Sequence, residues 1–124
     1  MLNKSNVVAF VATSRPDSAK SFYEQTLGLR LVTDDAFAIV FDANGIMLRV
    51  QKVQEHTPPK YTVLGWDVAD IQASINELSR RGVTCERYQW FEQDELGIWT
   101  SPSGAKIAWF KDPDGNTLSL TQFQ

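Results

Sequence analysis

Apolar positions along this chain fall into short runs broken by glycine, proline and Asx residues, and their spacing predicts strands and two helices. Asn6–Ala12 (NVVAFVA) has the continuous apolar character of a strand. Ser14-Arg-Pro-Asp17 reads as a capping box with proline in the first turn, and Ala19, Phe22, Tyr23 and Leu27 then recur at helical spacing. Gly28 is placed to end that helix in a left-handed conformation. Leu29–Val32, Phe37–Phe41 and Ile46–Gln51 read as three strands, the last two joined through an Asn44-Gly45 turn. Residues 53–60 carry Pro58 and Pro59, lack periodicity, and read as a connector.

After the connector the order of elements begins again. Tyr61–Val68 is a predicted strand, Asp70 caps a helix with Ile71, Ile75 and Leu78 on one face, and Gly82 stops it. Val83–Arg87, Gly97–Thr100 and Ala105–Phe110 are strand candidates, with Ser101-Pro-Ser-Gly104 as a turn. Asp112-Pro-Asp-Gly-Asn116 is a second tight turn into a final strand, Thr117–Gln122. Punctuation and element order repeat between the halves while side chains differ, which points to a pseudo-symmetric pair of modules rather than a solenoid.

A chain of 124 residues with 43% hydrophobic and 22% charged residues has the size and mixture of one folded domain. The formal net charge of −3, with scattered lysines and arginines, supplies no footprint for phosphate neutralisation, so nucleic acid is not an expected partner. The apolar run Val7–Ala12 is too short for a secretion signal or a membrane span, so a cytoplasmic protein is expected. A single cysteine, Cys85, rules out an internal disulfide and fits a reducing compartment.

Three features together, Ser21-Phe-Tyr-Glu-Gln-Thr-Leu-Gly-Leu29, the Asp112–Asn116 turn and the duplicated strand-helix order, resemble the vicinal-oxygen-chelate superfamily of glyoxalases, bleomycin-resistance proteins and ring-cleaving dioxygenases. The resemblance implies an α+β fold: two βαβββ modules, over approximately 5–53 and 61–123 of a single domain 1–124, forming a cupped, mostly antiparallel sheet with helices on the outer face. It also implies frequent homodimerisation and, in the enzymes, a divalent metal on the cup floor. The positions corresponding to the metal ligands are here Val8, Arg49 or Gln51, Val63 and Ser119. Valine has no donor atom, arginine is permanently cationic, and serine is a poor ligand for zinc, nickel, manganese or iron. The only histidine, His56, lies in the proline connector. No metal or other cofactor is therefore expected, and glyoxalase chemistry would lack the Lewis acid that stabilises an enolate.

Other catalytic signatures are missing too: there is no Gly-x-Ser-x-Gly elbow and no glycine-rich phosphate loop. What stands out is aromatic. Trp90, Trp99 and Trp109 accompany Tyr88 and Phe91 in the second module, and Tyr88–Leu96 reads as a loop whose rings are followed by Glu92, Gln93, Asp94 and Glu95. Strand alternation puts Phe10 beside Val8 and Ala12 on one face, Arg49 beside Met47 and Gln51, and Asp67 beside Val63 and Gly65, whereas Trp66 turns toward its helix. The expectation is a metal-independent homodimer that sequesters a planar or aromatic organic molecule, with Phe10, Arg49, Gln51, Asp67, Trp90, Trp99 and Ser119 lining the groove. Arg49, paired with Asp67, would orient the ligand's polar end. Two alternatives stay open: a lyase, epimerase or ring-cleaving dioxygenase with an atypical metal site, and a regulatory module whose groove its own aromatics have closed.

Overall fold

The computed structural model describes residues 1–124 and resolves into two compact units, Met1–Pro58 and Pro59–Gln124. Each is a βαβββ module with its own four-stranded sheet. The first unit holds β1 (Val8–Thr13), α1 (Pro16–Ser21), β2 (Arg30–Asp34), β3 (Ala38–Ala43) and β4 (Ile46–Lys52), in the sheet order β1-β4-β3-β2. The second holds β5 (Thr62–Asp67), α2 (Ile71–Arg80), β6 (Trp99–Thr100), β7 (Lys106–Lys111) and β8 (Thr117–Gln122), in the order β5-β8-β7-β6. In both, the strand before the helix runs parallel to the last strand of its module and the remaining pairs are antiparallel. The helix that connects β5 to the rest of its sheet packs on β8. The same connectivity twice is the structural form of the repeat in the sequence.

Turn chemistry fixes the registers. Asn44 (φ 51°) and Gly45 (φ 91°) both take positive φ, which a two-residue hairpin turn requires to follow the twist of its strands, and β3 and β4 pair without a slip. Gly82 (φ 88°) ends α2: its N–H and that of Val83 return to the carbonyls of Ser79 and Leu78. Asp70 caps α2 by accepting a hydrogen bond from the Ala73 N–H at 3.1 Å. The first helix starts differently from the capping box expected at Ser14. Its N-cap is Arg15, without a side-chain cap bond, and the Arg15 N–H donates instead to Thr13 Oγ1 at 3.0 Å. The strand runs one residue further than its apolar pattern and ends on buried Thr13. Beyond α1 the coil widens into a π-type turn, Phe22–Thr26, that rotates Tyr23 fully into the core.

Each sheet buries one face. In the first unit Val11, Ile39, Phe41, Leu48 and Val50 share the side that meets Ala19 and Tyr23, the Tyr23 and Phe41 rings lying 5.9 Å apart. In the second, Ala108, Phe110, Leu118 and Leu120 share the side of Ile71, Ile75 and Leu78. Trp66 stacks on Phe110 at 6.3 Å and so belongs to this helix side, as alternation predicts. The Asp112–Asn116 turn is buried rather than merely exposed punctuation. The Asp112 carboxylate accepts from the N–H groups of Asp114 and Asn116 and from the Asn116 side-chain amide, all at 2.8–2.9 Å.

One predicted strand is absent. Val83–Arg87 forms no strand; from Gly82 to Ile98 the chain is irregular apart from a single bridge, Gln93 to Trp99. Only Glu86 reaches the sheet in that stretch by a backbone bond, its N–H donating to the Trp109 carbonyl at 2.7 Å. The module thus has three strands after its helix, not four, and β6 is two residues long. No helix is long and apolar enough to cross a membrane.

Candidate functional site

The side of each sheet that faces away from its helix carries the residues of interest. In the first unit, register pairs Val8, Phe10 and Ala12 with Met47, Arg49 and Gln51, and these in turn with Asp42, Val40 and Ala38. Phe10, Arg49 and Gln51 therefore share one open face, with Phe10 54% exposed and Arg49 half-buried. A bulge between Leu31 and Thr33 frees Val32 from the ladder. It lines a depression of about 440 Å³ with Val7, Val8, Val40 and Met47, beside the Arg30–Asp42 ion pair at 3.2 Å. The same unit carries a charge cluster at its rim. The Asp34 carboxylate is held below the usual carboxylate range by hydrogen bonds from Lys52 and Lys20.

In the second unit the open face presents Gly65 and Ser119 side by side, then Trp109, with Asp67 and Thr121 one step along and Trp99 opposite Ile107. Ser119 is 8% exposed, and a Cβ at position 65 would come within 2.5 Å of its Oγ, so glycine is what lets β5 lie against β8 there. Asp67 is exposed. Arg49 and Asp67 sit in different units, as do the other first-unit and second-unit candidates.

Aromatic rings dominate this second face. Phe91 lies flat on Trp109, centroids 5.0 Å apart and planes 1° from parallel, and it tilts against Trp99 at 4.6 Å. Tyr88 meets Trp109 edge-on at 5.5 Å, and Trp90, 74% exposed, stacks on Tyr88 at 5.1 Å. Partial burial, with Glu86 nearby, raises the pKa of the Tyr88 hydroxyl, which stays neutral at physiological pH. The irregular loop that brings Tyr88, Trp90 and Phe91 here is tied by side chains. Gln93 Oε1 accepts from the Tyr88 N–H at 2.8 Å, and its Nε2 donates to the carbonyls of Glu86 and Gly97 at 2.9 and 2.8 Å. Asp94 Oδ1 accepts from the N–H groups of Leu96 and Ile98. Gly97 is required by its φ of 93° and because a Cβ would meet Cys85 Cβ at 2.9 Å. Beside the loop, Glu92, Asp94, Ile98, Trp99 and Thr100 line a second depression of about 360 Å³.

Trp99 and Trp90 thus join one ring cluster, while Asp67 and Ser119 lie further along the same sheet face. Phe91, Gln93 and Trp109 are absent from the sequence-derived set. Alternation of Trp109 against Ala108 and Phe110 carried the signal for its side; nothing in the sequence marked Phe91 as its stacking partner or Gln93 as the loop's tie.

The positions at which the resemblance implies a metal do not fit one. Val8 and Arg49 or Gln51 lie on the first open face, and Val63 and Ser119 belong to β5 and β8. These side chains offer one amide and one hydroxyl among them, a donor set too weak for a transition metal. No three His, Cys, Asp or Glu side chains gather anywhere in the chain.

The family described as Glyoxalase/Bleomycin resistance protein/Dioxygenase superfamily matches residues 5–120. No curated protein sequence matches. Among solved structures, a bleomycin-binding protein complexed with bleomycin superposes with a TM-score of 0.76 at 20% identity, over 98% of this chain and 100% of that one. A bleomycin resistance determinant encoded on the transposon Tn5 gives 0.75 at 20% identity, over 96% and 98%. A lactoylglutathione lyase from Agrobacterium tumefaciens gives 0.72 at 16% identity, over 95% and 93%. At these identities the likeness is one of fold.

Proposed function

Given that the chain belongs to the glyoxalase/bleomycin resistance protein/dioxygenase superfamily, we propose that it is a metal-independent binding protein that sequesters a planar or aromatic organic molecule and works as a homodimer. One observation carries the reading: five aromatic side chains, Tyr88, Trp90, Phe91, Trp99 and Trp109, converge on the open side of the second sheet and are only partly buried. Rings massed against a helix would be core, but these lie on the opposite side from α2. A ligand ring laid on such a surface gains apolar burial and offset stacking together. In the second unit Asp67 and Ser119 are the proposed polar contacts beside the rings, and in the first unit Phe10, Arg49 and Gln51 are the proposed contacts on that unit's own open face. Arg49 favours an anionic group on the ligand through bidentate hydrogen bonding. The donor chemistry at the implied metal positions weighs against the lyase, epimerase and dioxygenase alternatives.

The test is titration of the purified protein with planar probes of three charges, proflavine, lumichrome and pyrenecarboxylate, followed by probe anisotropy and tryptophan quenching. At least one is expected to bind, and Trp90→Ala and Trp99→Ala to weaken it by roughly 2- to 12-fold each, the equivalent of about 0.5–1.5 kcal/mol of stacking. Arg49→Ala is expected to weaken pyrenecarboxylate selectively. No binding of any probe, or binding indifferent to all three substitutions, contradicts the reading. Light scattering is expected to give twice the monomer mass at micromolar concentration; a persistent monomer removes the dimer from the proposal.

A further inference from the structure

We infer that the principal ring-binding position of this protein is the face of Trp109 now covered by Phe91, and that Phe91 is a built-in occupant which a ligand ring must displace. The inference deepens the ligand-binding reading above and rests on it. Three observations meet at this point. The first is geometric: the Phe91 and Trp109 planes are 1° from parallel with centroids 5.0 Å apart, so the phenyl ring occupies the place and orientation that a planar ligand would take. Phe91 also tilts against Trp99 at 4.6 Å, and Trp99 lies 6.2 Å from Trp109, so one ring bridges both indoles. A ligand replacing it inherits both contacts.

The second observation is how the two rings are held. Trp109 is in the middle of β7, paired with Ser119 of β8, and its carbonyl accepts from Glu86; it is fixed by a sheet ladder. Phe91 is on the irregular loop, outside any strand, and its own N–H reaches the Tyr88 carbonyl only at 3.4 Å, the long limit of a hydrogen bond. The platform is held by a sheet ladder and the occupant's backbone is not. The third is that side chains reinforce the loop around a single bridge, Gln93 to Trp99: Gln93 ties Tyr88, Glu86 and Gly97 with three bonds of 2.8–2.9 Å. None of these bonds is made by Phe91 itself, so its ring can leave Trp109 without unzipping the sheet.

The arrangement makes Phe91 a determinant of specificity. A monocyclic ring offers Trp109 no more than Phe91 already does, whereas a fused system covers more of the Trp109 indole face than one phenyl ring and outcompetes it. The ligand class is therefore a fused planar ring system of two or more rings.

The experiment measures binding of lumichrome and proflavine, by anisotropy, to the full chain and to Phe91→Ala, Phe91→Leu, Trp109→Leu and the Phe91→Ala/Trp109→Leu double variant. Phe91→Ala, which removes the competing ring, is expected to tighten binding by roughly 2- to 12-fold, the reciprocal of one stacking contact. Phe91→Leu keeps apolar volume without the flat ring and is expected to tighten it less. In the Trp109→Leu background the gain is expected to vanish. Gln93→Leu serves as a second route: amide exchange at Tyr88 is expected to accelerate and probe association to quicken, with the Phe91 ring intact. Binding to the parent that Phe91→Ala leaves unchanged or weakens overturns the inference and spares the ligand-binding reading. A gain that persists without Trp109 also overturns it, since the probe then fills a different space. Binding to neither parent nor Phe91→Ala overturns both.

Discussion

Replacing Phe41 with alanine is expected to destabilise the protein by about 3–5 kcal/mol, lowering the thermal midpoint on the order of 10–20 °C. The residue is fully buried in β3, paired with Leu48 of β4 and facing Tyr23, which is itself completely buried. Truncation forfeits the transfer free energy of a phenyl ring and leaves a cavity between sheet and helix, and packed strands on both flanks limit collapse. Phe41→Leu keeps most of the volume and is expected to cost roughly a third as much. Thermal unfolding followed by circular dichroism measures both. If Phe41→Ala unfolds within a few degrees of the parent, the first unit's core is not where the geometry puts it.

The turn at Asp112 provides the second large effect, of a different physical kind. Asp112 is 5% exposed, Asn116 1%, and three donors converge on the one carboxylate. Asp112→Ala strands those donors in a poorly hydrated place, each unmet group costing about 1–3 kcal/mol before relaxation, so a net loss of about 3 kcal/mol is expected. Asp112→Asn separates charge from connectivity. It preserves an acceptor for the two backbone N–H groups but turns an amide toward the Asn116 amide, and is expected to fall between parent and alanine. Adding Asn116→Asp to Asp112→Asn restores a complementary pair and is expected to recover part of the loss, a coupling that a double-mutant cycle by chemical denaturation reads directly. Additive effects would show that the two side chains do not act together.

Local punctuation was what the sequence displayed most legibly. Gly28, Asn44-Gly45, Gly82 and the Asp112–Asn116 turn each need a backbone conformation that few residues adopt, and each is found where the residue pattern places it. Alternation likewise put Trp66 on the helix side and Arg49 opposite Leu48. The failures share a cause. Val83–Arg87 has the β-branched start of a strand, but a strand also needs a ladder of partners, and in the sheet only the Glu86 N–H finds one, the Trp109 carbonyl. Ser14 has capping chemistry, yet the helix takes Arg15 as its N-cap. The candidate site was legible only as a concentration of aromatics in one irregular stretch. That Phe91 lies on Trp109, and that Gln93 ties the loop, are facts of tertiary contact between residues with no spacing rule to connect them.

Binding without a metal is tested by probe affinity and metal content determined on the same sample before and after exhaustive dialysis against a chelator. Divalent metal is expected well below one per chain throughout, with a dissociation constant for the tightest planar probe that chelation leaves unchanged. Stoichiometric zinc, nickel, manganese or iron whose removal abolishes probe binding, with recovery on adding the ion back, would contradict it.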